Sequence, residues 1–514
     1  MKVNELDRRG FLKKSVYATA ACLTTGCAYN AASLLKEKNV RPFDELLDHD
    51  ALSLAQLIKT KQIDSLELVE IIIKRIEATN PSINFITNEF YDRARMKAQS
   101  ISLETPFAGV PILMKDMIDV GGVPRTDGSR LLLNNISPKN VKYVNGVELA
   151  GLNIIGMTNV PEFASYIMTD NAVFGATKNP WNKKYSPFTS SGGAAASVAA
   201  GVLPLAHGTD GAGSNRLPSS TTGLLGMKAS YGRMLSGEAS GKHDRTKTNQ
   251  SISRTVRDSA ALLNYTEDKS GAHYQPLGFI EQRALTRLRV GYVNSGDFNQ
   301  GVEPEVVAAI ASTANLLERL GHEVEEIELP FSYDALFDAY KARSLGKFSA
   351  LAGIVNQAKN QFPAETNLIT PWVESAIALS NQYNQEDLLK KTGYLNSIPS
   401  IFSKLFTKYD ILLCPVSTVS GVALNEASYN DQWDEEKLHF VITRLKFTIP
   451  VNFGGNPAMS VPLYWEGKDG LPVGSHFIAA KGNDELLYQL AYELEEVRPW
   501  RDYWAPHSLN KMLI

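Results

Sequence analysis

Cysteine is almost missing from the chain. Three residues in 514, Cys22, Cys27 and Cys414, cannot build a disulfide framework. No C-x-x-C or H-E-x-x-H spacing occurs, so no metal site is encoded in these forms and no cofactor is implied. No uninterrupted run of 18 apolar residues exists, which excludes a polytopic membrane protein. Charge of one sign is lacking too: the net value is −3, without the broad basic face that a dedicated nucleic-acid binder needs. There is no G-x-S-x-G elbow, so a Ser-His-Asp hydrolase of that type has no nucleophile position. What is present is 44% hydrophobic and 21% charged residues, the balance of a folded chain of one or two domains.

The first 26 residues read as an address. Arg8-Arg9-Gly-Phe11-Leu12-Lys13-Lys14 precedes a short run of apolar and small residues ending near Thr24, too short to span a membrane stably. Paired arginines before Phe-Leu-Lys resemble a twin-arginine export signal. Leu23-Thr24-Thr25-Gly26-Cys27 resembles a lipoprotein cleavage box, with Thr24 where Leu is usual. The expectation is a signal over 1–26, a tether over 27–49 and one folded domain over 50–505. The protein would lie in the periplasm or cell envelope, with Cys27 the candidate site of a lipid tether to a membrane. Five basic and two acidic residues fall in the leader, so the remainder carries −6. Only Cys414 would stay free, a chain that does not rely on disulfides.

Along the body the patterns alternate between helix and strand. Leu68, Ile71, Ile72 and Ile76 recur at helical spacing after Ser65, read as the N-cap, and Pro81 is read as the stop. Phe107–Leu113 and Asn153–Met157 read as buried strands. Leu288–Val293, a helix over Glu303–Leu320 and Glu323–Leu329 form a βαβ-like unit, with Pro304 at the first helical position. Residues 331–406 are helix-rich and poor in motifs. Tyr409–Leu413 and Gly474–Ala479 add strands, and Asp484–Glu496 closes with a helix. The class is α/β.

Three segments carry residue types that a plain core would avoid. Lys115 ends the apolar run Gly109-Val-Pro-Ile-Leu-Met-Lys115. Thr189-Ser190-Ser191-Gly192-Gly193 opens a stretch of Gly, Ala and Ser. That stretch could be a linker, but Val198, Val202, Leu203 and Leu205 interrupt it, and Gly193–Gly201 is read as a tightly packed helix. The third segment is Gly208-Thr209-Asp210-Gly211-Ala212-Gly213-Ser214-Asn215-Arg216, running on to Gly226-Met-Lys228. A buried lysine needs partners, and serines among glycines offer hydroxyls and backbone N–H groups close together.

These residues resemble the amidase signature family, whose pattern is a strand-end lysine, a Ser-Ser-Gly-Gly turn and a Gly-Thr-Asp-x-Gly-Gly-Ser-x-Arg loop. Lys115 precedes Ser190 by 75 residues and Ser190 precedes Ser214 by 24, in keeping with that family. The resemblance runs from about Ser53 to Trp500. Within the family the chain looks most like the branch that hydrolyses cyclic oligoamides, through Ala206–Asp210. It implies one large domain with a mixed, twisted central sheet covered by helices on both faces. It also implies Ser214 as nucleophile, Ser190 as relay after a cis peptide bond, Lys115 as base, and Gly211, Ala212 and Gly213 as oxyanion donors. Thr189 and Ala212 stand where the family commonly has glycine, Asn215 where it has an aliphatic residue, and Ala229-Ser230 where it has Pro-Thr.

The chemistry requires a neutral amine. An unperturbed lysine, with pKa near 10.4, is neutral in only about one molecule in 2,500 at pH 7, so desolvation must lower it before it can deprotonate a serine. Lys115 could instead reach solvent from a strand end. His207 is read as a satisfied core histidine, and Ser191 as a residue that holds the loop. The implied function is hydrolysis of a small-molecule amide through an acyl-enzyme. The alternatives are the glutaminase-type subunit of a tRNA-dependent amidotransferase, whose cytosolic setting conflicts with Arg8-Arg9, or a dead binding protein on the same fold. The substrate and the oligomeric state are not legible.

Overall fold

The computed structural model describes residues 45–239, 241, 244–283, 286–361 and 367–512. The expected leader, Cys27 and all but the last few residues of the expected tether lie outside them. Among those last residues Leu46 and Leu47 are buried in the core, while Glu45 and Asp48 are exposed.

The first long helix, Ser65–Ile83, corrects two expectations. Its cap is Asp64, which accepts the Glu67 N–H at 2.7 Å, leaving Ser65 as the first helical residue. Pro81 lies inside the last turn and does not end the helix. The end is set by Asn84 in the left-handed region (φ 64°), with Asn80 Oδ1 accepting the N–H groups of Phe85 and Ile86.

Eight strands form the main sheet, in the spatial order Leu205–Asp210, Thr248–Ser253, Leu225–Lys228, Ala458–Tyr464, Val473–Ala479, Ile411–Pro415, Arg289–Tyr292 and Glu323–Glu326. The last three pair parallel and the rest antiparallel, so the sheet is mixed. The βαβ unit is present, its helix Pro304–Arg319 starting on the proline. Its second strand stops at Glu326, three residues short of the expected Leu329.

A separate three-stranded sheet holds Ile86–Glu89, Asn153–Thr158 and Pro111–Lys115, in that order. The last of these begins later than the expected Phe107, because Ala108 (φ 42°) and Gly109 (φ 93°) turn the chain just before it. It ends on Lys115 and lies against the edge strand Leu205–Asp210 of the main sheet. The described part of 331–406 is helix-rich as expected, in Tyr333–Gln361, Pro371–Ser380, Gln385–Lys391 and Gly393–Lys408. The closing helix is Asp484–Val497. No described helix is long and apolar enough to cross a membrane.

The Gly/Ala/Ser stretch is the buried helix Gly192–Ala199, every residue of it enclosed. A Cβ on Gly193 would meet Asn159 N at 2.5 Å and the backbone oxygens of Asn159 and Phe85 at 2.7 Å. Gly193→Ala is therefore expected to cost about 1–3 kcal/mol, as overpacking against backbone does. Gly346→Ala, in a helix with open space around it, should stabilise by up to about 1 kcal/mol. Thermal unfolding of the two variants checks this, and equal midpoints would contradict the close approach.

Candidate active site

The end of the strand Pro111–Lys115 delivers the lysine amine into a pocket of hydroxyls. Lys115 is 0% exposed. Its Nζ lies 2.7 Å from Ser190 Oγ, 2.8 Å from Thr209 Oγ1 and 3.0 Å from Ser191 Oγ. It forms no ion pair among the described residues. Burial holds the amine well below its usual pKa; Lys247 pushes the same way, while Asp210 pulls back. The neighbouring Asp116 turns elsewhere, accepting the N–H and hydroxyl of Thr126. Burial raises Asp116 to about 6.

The peptide bond Thr189–Ser190 is cis, with Thr189 in the place that family members commonly give to glycine. Ser190 is buried (1% exposed), whereas Ser214, on the turn after the edge strand, is partly open. The two segments are tied by the Ser191 N–H, which donates to the Ser214 carbonyl at 3.2 Å. The structure thus brings Lys115, Ser190 and Ser214 into one neighbourhood, with access only at the last.

The three expected oxyanion donors separate. Gly213 N–H is already given to Asp210 Oδ1 at 2.8 Å, and Gly213 takes φ 116°. In this structure a carboxylate acceptor holds that N–H, which sets Gly213 apart from the other two. The N–H groups of Gly211 and Ala212 have no partner among the described residues.

Asp210 shapes this loop through residues to which the sequence reading gave no role. It receives Arg216 Nε and Arg216 Nη2, both at 2.9 Å, and Asn452 Nδ2 at 2.9 Å. Burial alone would raise the carboxyl, but the charge and hydrogen bonds of Arg216 hold it well below the usual range. Arg216 also reaches Asn452 Oδ1 at 2.6 Å and donates Nη1 to His476 Nε2 at 2.9 Å. Burial and the Arg216 charge keep His476 neutral, and Cys414 is buried beside its Nδ1 at 3.3 Å. Lys228 is a second buried lysine, its amine donating to Asn456 O at 2.7 Å and Ala229 O at 3.2 Å; burial lowers it to about 7.

His207 is the core histidine expected. Its Nδ1 accepts the Lys115 backbone N–H at 3.2 Å, leaving Nε2–H for Asn249 Oδ1 at 3.3 Å. Burial lowers it to about 3, and its free lone pair is already used. It therefore fixes the backbone of Lys115 and cannot serve as the base.

Beside these segments, Tyr166, Ile167 and Met168 pack in one apolar cluster with Leu336, Phe337 and Leu345 of the long helix. Lys347 of that helix donates to Phe163 O at 2.6 Å.

The family model for amidases matches residues 67–488, a span that holds the buried lysine, both serines and the glycine loop. The chain belongs to the amidase signature family. It is 33% identical over 476 residues to the putative amidase AmiC of Mycobacterium tuberculosis, covering 90% of this chain and 98% of that one. It is 30% identical over 490 residues to the 6-aminohexanoate-cyclic-dimer hydrolase of Paenarthrobacter ureafaciens, covering 88% and 95%. A solved structure of 6-aminohexanoate cyclic dimer hydrolase with its substrate matches with TM-score 0.79 at 28% identity, over 89% of this chain and 99% of that one. The protein is an amide hydrolase of this family, acting on carbon–nitrogen bonds other than peptide bonds.

Proposed function

We propose that the chain is an exported serine amidase in which Lys115, Ser190 and Ser214 cleave a small-molecule amide through an acyl-enzyme. The observation that carries this reading is the Lys115 amine: fully buried, without an ion pair among the described residues, and 2.7 Å from Ser190 Oγ. Such an amine is a base, because its neutral form is the one that burial favours.

In the first half-reaction Ser214 Oγ attacks the amide carbon. Its proton passes to Ser190 Oγ as the Ser190 proton moves to Lys115 Nζ. The oxyanion is received by the N–H groups of Gly211 and Ala212; donors of this kind are each worth about 10²–10³ in rate. Collapse breaks the C–N bond, and the leaving nitrogen takes the proton back through Ser190. Water then repeats the sequence on the Ser214 ester, releasing the acid. Gly213 takes no part as a donor, since Asp210 holds its N–H. On this reading the pocket walls come from Ala164–Asp170 and the 331–406 segment, whose Tyr166, Ile167, Met168, Leu336, Phe337 and Leu345 belong to one apolar cluster.

The substrate class is tested by a panel. Cyclic and linear aminohexanoate oligoamides, aryl acylamides and C-terminal peptide amides are offered to purified protein, and released amine or ammonia is measured. Turnover of at least one, lost in Ser214→Ala, is expected. No turnover across the panel, with Ser214 inert to serine probes, contradicts the reading.

Export is tested separately. Changing Arg8 and Arg9 together to Lys should leave active enzyme in the cytoplasm, and Cys27→Ala should release it from membranes. Two or more acyl chains anchor stably where one is reversible. Wild-type protein found soluble in the cytoplasm with residues 1–26 attached ends the export reading and leaves the amidase reading intact.

A further inference from the structure

Asn215 departs from the family pattern and has no part in the mechanism above. It is fully buried. Its Nδ2 donates to the Met227 carbonyl at 3.0 Å; a carbonyl only accepts, so the amide orientation is fixed. Oδ1 then faces Ser191 Oγ at 3.2 Å. Gly208 makes the room: a Cβ there would lie 2.1 Å from Asn215 Oδ1 and 2.9 Å from Ser191 Oγ.

Ser191 Oγ has four polar neighbours. It receives the Thr209 N–H at 3.2 Å and faces Lys115 Nζ at 3.0 Å. The other two, Asn215 Oδ1 and Thr209 O at 3.3 Å, can only accept. Thr209 O also faces Lys115 Nζ at 3.4 Å and can take an amine N–H, which leaves Asn215 Oδ1 as the acceptor for the Ser191 proton; with the proton there, Ser191 turns a lone pair toward the lysine.

We propose that Asn215 is a positioning residue for the proton relay: by accepting the Ser191 proton it keeps Ser191 an acceptor toward Lys115, reserving the lone pair of the amine for Ser190. A neutral amine has two N–H groups and one lone pair, and its three hydroxyl neighbours divide accordingly. One N–H goes to Ser191, one is shared by Thr209 Oγ1 at 2.8 Å and Thr209 O at 3.4 Å, and the lone pair takes the Ser190 O–H at 2.7 Å. Without Asn215, Ser191 is freer to rotate its O–H onto that lone pair and compete with Ser190. This inference rests on the Lys115–Ser190–Ser214 reading.

The test is a double-mutant cycle that needs no known substrate. The second-order rate of Ser214 labelling by a fluorophosphonate is followed against pH in wild type, Asn215→Leu, Ser191→Ala and the double variant. Asn215→Leu should slow labelling about tenfold at the alkaline plateau. Its acid limb should move to lower pH, since a donating Ser191 favours the neutral amine. In the Ser191→Ala background the same change should alter neither quantity. A merely structural role would slow labelling equally in both backgrounds and leave the limb in place; that result, or no effect of Asn215→Leu with Ser191 present, overturns the proposal. Asn215→Ala carries the same cycle if the leucine variant fails to fold, as judged by its thermal midpoint. Lys115→Ala is labelled alongside. Wild-type labelling there means the triad reading has failed, whereas slow labelling with an additive cycle means only the role of Asn215 has.

Discussion

Lys115→Ala is expected to lower turnover by roughly 10³-fold or more, the order seen when the base of a concerted set is removed. The sign of the pH dependence follows from burial. The amine is held well below its ordinary pKa, and only its neutral form can take the Ser190 proton, so the wild-type rate rises with pH through the lysine's titration. The residual rate of Lys115→Ala should be flat across that range. A limb that survived the substitution would belong to another group, with Lys228 at about 7 and Asp116 at about 6 the candidates within reach. His207 cannot supply it, since at about 3 it is neutral throughout.

Ser214→Ala should reduce amide turnover to background, a loss of at least about 10⁴-fold, because no second hydroxyl can replace a nucleophile that forms the ester. Its fold should survive. Ser214 is partly open, and its carbonyl, which accepts the Ser191 N–H, is backbone and unchanged by the substitution. Unchanged thermal unfolding with no turnover is the expected pair of observations.

The segments that hold Lys115, Ser190 and Ser214 were legible because their residue types are wrong for a plain core; the role of each residue came from the family resemblance. A lysine closing an apolar strand and serines among glycines are local signals. The limit of that reading shows at Gly213. Three consecutive N–H groups look equivalent in a sequence, yet Asp210 takes one of them. Asp210 is held partly from nearby, by Arg216 and the Gly213 N–H, and partly from far away: Asn452 is 242 residues later, and His476, which backs Arg216, lies 260 residues beyond it. No spacing rule reaches across such a distance. Thr209 and Ser191 as partners of Lys115 were hidden differently. Their hydroxyls meet the amine only because the three-stranded sheet lies against the edge strand Leu205–Asp210, a packing that periodicity does not encode. Element ends moved for local reasons, as where Asn84 rather than Pro81 closes a helix.

The most direct measurement is to treat the protein with a fluorophosphonate probe and map the adduct by peptide mass. A single adduct on Ser214, absent in Ser214→Ala and formed far more slowly in Lys115→Ala, is the result this account predicts. An adduct on another serine, or labelling of Ser214 at an unchanged rate without Lys115, would contradict it.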